Sequence, residues 1–323
     1  MSQTAANQTM TALTLNDATG KLALEEAPIP VAADGEVLVR VRAAGVSGVD
    51  ASIRSGAPDF APLVASFRER GPVMTGLDFA GTVVEDAAGF KAGERVFGYV
   101  DLMEGPRTHA QYVAVPTSSL ARMPKNLSFT EAAALPSTAL TAIEAVESLA
   151  SLPGGASVLE IGATGAVGSY ATQLANARGA RVVGPGTNAV AEADALGLAE
   201  VRDTDAPFLD GDAFDFILDT PAHESFEKAL PHLAKDGTYV TTQPAADEAG
   251  FALAATVPQN AGMLMVANTT LEKLDHLARY AEDGTIAPAV DSVFPLDRAN
   301  EAFDRALARG KKGRVVLDLG DDD

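Results

Sequence analysis

Val158-Leu159-Glu160-Ile161-Gly162-Ala163-Thr164-Gly165-Ala166-Val167-Gly168-Ser169 sets an apolar run against three glycines spaced three apart, and an alanine-rich stretch follows. Residues 157–161 read as a buried strand, and residues 165–178 as a helix of about four turns ended by Gly179. Glycines at such a junction let a pyrophosphate approach the backbone and let the helix pack on the strand. The helix N-terminus adds unpaired N–H groups and a partial positive charge. The spacing is G-x-x-G-x-x-G, for which a ligand-free glycine turn is the plain alternative. The strand before, the helix after and a second strand from Ala180 favour a dinucleotide, held at Gly162, Ala163, Thr164, Gly165, Ala166, Val167 and Gly168.

Downstream the alternation continues. Residues 180–183, 214–218 and 237–242 read as strands, residues 190–196 as a helix stopped by Gly197, and residues 225–233 as a helix broken near Pro231. This is the βαβ pattern of a parallel sheet. A late helix over residues 270–282, capped by Thr269 or Thr270 and followed by Gly284, precedes a helix over residues 297–308 and a strand over residues 314–319. Upstream, residues 22–26, 36–41, 79–85, 95–99 and 111–115 read as short strands, and helical periodicity begins at residues 129–135 and 139–149. The last strand returns after the sheet is complete, so the domains interleave.

Which dinucleotide binds depends on the end of the second strand, where a carboxylate would accept from the ribose 2′-hydroxyl of NAD. Val183-Gly184-Pro185-Gly186-Thr187-Asn188 carries none. Gly186, Thr187 and Asn188 are therefore the expected ribose contacts, and NADP(H) is favoured over NAD(H). The nearest bases, Arg178 and Arg181, read equally as surface or sheet residues, and Lys311, Lys312 and Arg314 form either a phosphate-binding cluster or a solvated turn.

The chain has 323 residues, 47% hydrophobic and 21% charged, which places it in the globular range. The formal charge of −20, from 44 acidic against 24 basic residues, repels phosphate backbones and anionic lipids, so neither nucleic acid nor membrane is an expected partner. With no Cys, disulfides, thiolate zinc sites and cysteine nucleophiles are excluded. No apolar stretch reaches the ~18 residues of a membrane span, and the polar start lacks a signal pattern, so a soluble cytoplasmic protein is expected.

Further motifs narrow the reading. Ala44-Gly45-Val46-Ser47-Gly48-Val49-Asp50, Ile53-Arg54-Ser55-Gly56, Gly76-Leu77-Asp78-Phe79-Ala80-Gly81-Thr82-Val83, Gly93-Glu94-Arg95-Val96-Phe97-Gly98, Ala132-Ala133-Ala134-Leu135-Pro136 and Leu140-Thr141-Ala142 precede the glycine motif in order. With Phe294-Pro295-Leu296 and residues 310–317, this set resembles the medium-chain dehydrogenase/reductase superfamily, nearest its zinc-independent quinone oxidoreductase branch. The resemblance implies an α/β fold: a Rossmann doubly wound parallel sheet, residues 128–267, inserted into a GroES-like β-rich domain, residues 1–127 and 268–323. It also implies a nicotinamide site lined by the Ser47 to Asp50 stretch and by Thr141, with Thr220 assigned to the cofactor, and a homodimer.

In the zinc alcohol dehydrogenases that the chain resembles more distantly, the positions of Ser47 and Leu77 hold a metal-binding Cys and His. Neither residue here suits zinc, and His109, His223, His232 and His276 form no ligand pair and read as surface or loop residues. Without a metal, the favoured acceptors are those whose conjugation delocalises the arriving charge, quinones and related conjugated carbonyls. The expected catalytic residues are Ser47, as a hydrogen-bond donor to substrate oxygen or cofactor ribose, and Asp50, which more simply fixes the turn. Many relatives have Asn where Ser47 stands, and several have Tyr or Lys where Ser52 stands, so no phenol donor is evident there. Tyr99 and Tyr112 are the candidates from elsewhere. Three readings stay open: a quinone reductase using NADPH, an enone or enoyl double-bond reductase, and a non-catalytic NADPH-binding scaffold.

Overall fold

Alternating side chains pair the start of the chain into a hairpin: β1 (Thr9–Asn16) runs antiparallel to β2 (Lys21–Pro28), with Leu13 opposite Leu24 and Leu15 opposite Leu22. The computed structural model describes residues 8–16, 21–149, 152–186, 195–203, 209, 213–242, 248–264 and 269–320. Its contacts divide the chain into two units: Met1–Ser137 with Ala267–Glu282 and Pro288–Asp323, and Thr138–Val266 with Asp283–Ala287.

The first unit is organised by β3 (Glu36–Val46), whose burial alternates along its first half and becomes continuous after Ala43. One edge of β3 pairs with β4 (Asp78–Val83), which continues through β5 (Arg95–Tyr99) to β7 (Leu120–Arg122). The other edge is shared. Its first half takes β6 (Tyr112–Pro116), and its second half takes β15 (Arg314–Asp318), with Val315 opposite Val46. The end of the chain thus completes a sheet begun by its third strand. β14 (Val290–Pro295) lies parallel to β15, and helix α9 (Ala299–Leu307) between them buries Ala302, Phe303 and Ala306 in one cluster with Leu13, Val46 and Ile53. Helices α1 (Gly48–Ser55) and α2 (Ala61–Arg68) lead from β3, α3 (Phe129–Ala133) opens with a Ser128/Glu131 capping box, and α8 (Leu271–Glu282) has its Lys273 N–H capped by Thr270.

Among its described residues, the second unit carries a parallel sheet of six strands: β8 (Ser157–Ile161), β9 (Arg181–Gly186), β10 (Glu200–Asp203), β11 (Phe214–Asp219), β12 (Leu233–Thr241) and β13 (Asn260–Met263). Their spatial order is β10-β9-β8-β11-β12-β13, the 3-2-1-4-5-6 order of the doubly wound dinucleotide fold. Leu159 and Ile161 face α6 (Phe226–Ala229) and the α7 (Glu248–Ala254) side, while Glu160 faces α5 (Ala166–Ala177) across the sheet. The order reverses between β8 and β11, and in open α/β sheets ligands bind beyond the carboxyl ends of the strands at such a point.

Local readings need three corrections. The residues read as one helix over 139–149 form α4 (Pro136–Ile143) and then a π-helical Glu144–Leu149. The helix expected over 225–233 is only α6 and a 3-10 turn, Leu230–His232, because Pro231 removes a donor. The turn expected at residues 47–50 is the capped start of α1.

Candidate functional site

At the carboxyl end of β8 the chain enters a tight turn in which the Gly165 N–H donates to the Gly162 carbonyl at 2.8 Å. Gly162 has φ +96°, and an ideal Cβ on it would stand 2.2 Å from Thr220 Oγ1 and 3.0 Å from Pro221 Cδ. A Cβ on Gly168 would stand 2.2 Å from the Gly162 carbonyl oxygen. Both positions exclude a side chain. Gly165 is the N-cap of α5 and makes no side-chain cap, and the Ser169 N–H is the one that reaches the Gly165 carbonyl, at 3.0 Å. The amides of Ala166, Val167 and Gly168 belong to the first turn, whose donors have no acceptor within the helix.

Thr220, the first residue beyond β11, bonds to this turn twice: its N–H and its Oγ1 each donate to the Ile161 carbonyl at 3.1 Å. Thr242 Oγ1 donates to the Thr220 carbonyl at 2.7 Å. The ends of β8, β11 and β12 are therefore tied in series at the switch point. Gly162, Ala163, Thr164, Gly165, Ala166, Val167, Gly168 and Thr220 come together in this one feature. Gly186 ends the neighbouring strand β9, opposite Asp203. Thr141 lies on α4 at 8% exposure, while Thr187 and Asn188 fall outside the described residues. The cradle, its small side chains and its helix amides fit an anionic dinucleotide.

Two buried acids lie behind the turn. Asp219 accepts from the His223 and Glu224 N–H groups at 2.9 and 2.7 Å and from Tyr239 Oη at 3.1 Å, so it orders the loop after β11. Burial pushes its carboxyl up despite these donors. Glu160, 1% exposed, has its Oε1 without a hydrogen-bond partner among the described residues. Burial, with a smaller contribution from Asp219, raises its carboxyl well above the ordinary range.

In the first unit, Ser47 and Asp50 form a reciprocal capping box. Ser47 N–H and Oγ donate to Asp50 Oδ2 at 2.8 and 2.5 Å, and the Asp50 N–H donates to Ser47 Oγ at 2.9 Å. Asp50 Oδ1 accepts from the Gly76 N–H at 2.8 Å, so this fully buried carboxylate fastens the start of α1 to the segment before β4. The Ser47 hydroxyl proton is committed to Asp50.

His109 lies in the loop before β6, as one of the two expected settings, but not at the surface. It is fully buried, edge-on to Phe303, with Nδ1 2.9 Å from Thr75 Oγ1 and Nε2 3.2 Å from the Gly45 carbonyl oxygen. A carbonyl only accepts, so the assigned tautomer carries its proton on Nε2, and burial lowers the ring's tendency to take a second. Arg314 also departs from its expected cluster. Its guanidinium is 4% exposed and pairs with the buried Asp78 carboxylate, which also takes the Ser137 N–H at 2.6 Å and the Ser137 Oγ at 2.7 Å. Burial pushes the Asp78 carboxyl up while Arg314 and Ser137 work against it. The Lys312 N–H meanwhile donates to Asp291. The three cations thus do not form one solvated set, since the sheet turns Arg314 inward.

The zinc positions lack a donor set. Leu77 is a buried apolar side chain, the Ser47 hydroxyl is held by Asp50, and no group of three or more acidic or histidine side chains placed to hold a metal occurs among the described residues. Tyr99 is buried, and its phenol is pushed far above the ordinary range, chiefly by burial. Tyr112 packs on Met10, Ala12 and Ala110. No described helix is long and apolar enough to cross a membrane.

Residues 33–125 match the family described as alcohol dehydrogenase GroES-like domain, and residues 196–317 match zinc-binding dehydrogenase. Quinone oxidoreductase of Sus scrofa is 29% identical over 311 residues, covering 90% of this chain and 91% of the relative. The 2-methylene-furan-3-one reductase of Solanum lycopersicum is 31% identical over 307 residues, covering 90% of this chain and 73% of the relative. The solved structure of the quinone oxidoreductase from Coxiella burnetii is similar with TM-score 0.86 at 23% identity, over 97% of this chain and all (100%) of that one, a likeness of fold.

Proposed function

Because the chain belongs to the medium-chain dehydrogenase/reductase superfamily, in its quinone oxidoreductase-like branch, we propose that it transfers hydride from NADPH to quinones or related conjugated carbonyls without a metal. The observation that carries this reading is the glycine turn locked to Thr220 at the switch point of the parallel sheet. In this proposal the amides of the turn and of the first turn of α5 hold the pyrophosphate. Gly186, Thr187 and Asn188 receive the ribose and its 2′-phosphate, and Thr141 and Thr220 bound the nicotinamide half. When bound, the reduced nicotinamide supplies the hydride. One hydride and one proton convert a quinone to its hydroquinone, with the nucleotide oxidised.

Ser47 and Asp50 enter as a positioning pair, because their mutual hydrogen bonds hold the β3–α1 corner and engage the Ser47 hydroxyl proton with Asp50. Metal independence is supported by the apolar side chain at Leu77 and by the engaged hydroxyl of Ser47. The proposal includes a cytoplasmic homodimer with a small-molecule substrate.

A second reading, reduction of a conjugated carbon–carbon double bond, is favoured by the likeness to the 2-methylene-furan-3-one reductase. Purified protein incubated with NADPH and separate quinone and enone substrates tests both. Hydroquinone as product supports the first reading, and saturated ketone the second. Tight NADPH binding with no turnover of either substrate class would leave only a binding protein.

A further inference from the structure

Glu160 is the next-to-last residue of β8, one residue before the glycine turn, between the apolar Leu159 and Ile161. It is 1% exposed, and its Oε1 meets no hydrogen-bond donor among the described residues. An ideal Cβ on Gly168, in the first turn of α5, would lie 2.9 Å from that oxygen. The carboxyl therefore lies against Gly168 and beside the Gly162 carbonyl, next to the first turn of α5 whose amides are proposed to hold the pyrophosphate.

Among the described residues, no cation acts on it to compensate. From β11 the acting charge is Asp219, of the same sign. The ionisable side chain of α5 is Tyr170, fully buried, and that of β9 is Arg181, which pairs with Glu200 at the strand end opposite Ser157. A buried carboxylate here would cost free energy by itself and would oppose an anion at the same helix turn.

We infer that Glu160 is a proton-gated determinant of dinucleotide affinity: the nucleotide binds when the carboxyl is neutral, and ionisation next to the first turn of α5 expels it. This rests on the dinucleotide reading of the glycine turn. Linkage makes the effect reciprocal, so nucleotide binding increases the proton affinity of Glu160 by the same factor and draws a proton from solution wherever the free protein has begun to lose it.

The test measures dissociation constants of NADPH and NADH from pH 6 to 10 for wild type, Glu160→Gln and Glu160→Leu, within the range where circular dichroism shows each protein folded. NADH removes the 2′-phosphate titration from the comparison. For wild type, both constants rise above the ionisation of Glu160, approaching ~10-fold per pH unit for a single linked proton. In Glu160→Gln both stay flat near the wild-type low-pH value, and Glu160→Leu serves the same comparison should the amide fail to fold. At the pH where the wild-type constants rise, titration calorimetry in buffers of different ionisation enthalpy shows uptake approaching one proton per nucleotide in wild type and none in the variants. Parallel pH profiles in wild type and variants, or no proton uptake, overturn the inference while leaving the dinucleotide site intact. Failure of wild type to bind either nucleotide at pH 6 overturns the dinucleotide reading itself, and this inference with it.

Discussion

Thr220 closes over Gly162: its Oγ1 donates to the Ile161 carbonyl at 3.1 Å and stands 2.2 Å from where a Cβ on Gly162 would be. Gly162→Ala meets both that clash and a φ of +96°, so it is expected to destabilise the second unit by about 2–4 kcal/mol and to weaken NADPH binding at least ~10-fold. Gly162→Ala combined with Thr220→Ala relieves the contact but not the dihedral, and should recover only part of the loss. Urea denaturation and fluorescence titration check this, and wild-type affinity in Gly162→Ala would remove the turn from the binding site.

Glu160 makes a separate prediction about stability in the absence of nucleotide. Its folded-state proton affinity is raised by burial, so the native chain holds a proton that the unfolded chain has released. Stability from this group is full below the ordinary Glu range and is lost as pH rises toward the folded-state ionisation. Glu160→Gln should therefore match wild type near pH 4 and exceed it by about 1–3 kcal/mol at pH 8. Denaturation midpoints across pH decide it, and a wild type as stable as the amide at pH 8 would contradict it.

Asp78 and Arg314 are buried together, so removing one strands the other. Asp78→Asn and Arg314→Met are each expected to cost about 3–5 kcal/mol, and the double variant markedly less than their sum. A double-mutant cycle by chemical denaturation measures the coupling, and additive losses would show the pair to be energetically idle.

The proposed ribose site makes Thr187 the test of nucleotide preference. NADPH is expected to bind more tightly than NADH, by a margin that shrinks as salt rises, if local charged and polar donors hold the 2′-phosphate as proposed, since added salt screens their attraction (Debye length ~8 Å at physiological ionic strength). Thr187→Asp should reverse the preference by repelling the phosphate and accepting from the ribose hydroxyl. An unchanged affinity ratio would mean that the ribose lies elsewhere.

What is legible in the sequence is what local chemistry decides. Residues 157–161 and 95–99 are short apolar runs bounded by glycine or polar residues, and they form β8 and β5 at those limits. Strands β10 and β13, four residues each at the sheet edges, carry too little pattern to read. Helix α1 is hidden by Gly48 and a β-branched Val49, although the Ser47 to Asp50 spacing is a capping-box signal that could have found it. His109 and Arg314 are decided by residues far along the chain: Thr75 and Gly45 stand 34 and 64 positions from the histidine, and Asp78 stands 236 from the arginine. No window of sequence around either residue contains its partner. Glu160 is visible as a lone charge in an apolar strand, but its closeness to Gly168 depends on how the helix returns over the sheet.

The central claim is hydride transfer to a conjugated acceptor without a metal, and the most direct measurement is the steady-state rate of NADPH oxidation with a simple quinone before and after exhaustive chelation. The account predicts the same rate and hydroquinone product in both, since Leu77 offers no ligand atom and Ser47 is bound to Asp50. Activity that disappears on chelation and returns with added zinc would contradict it.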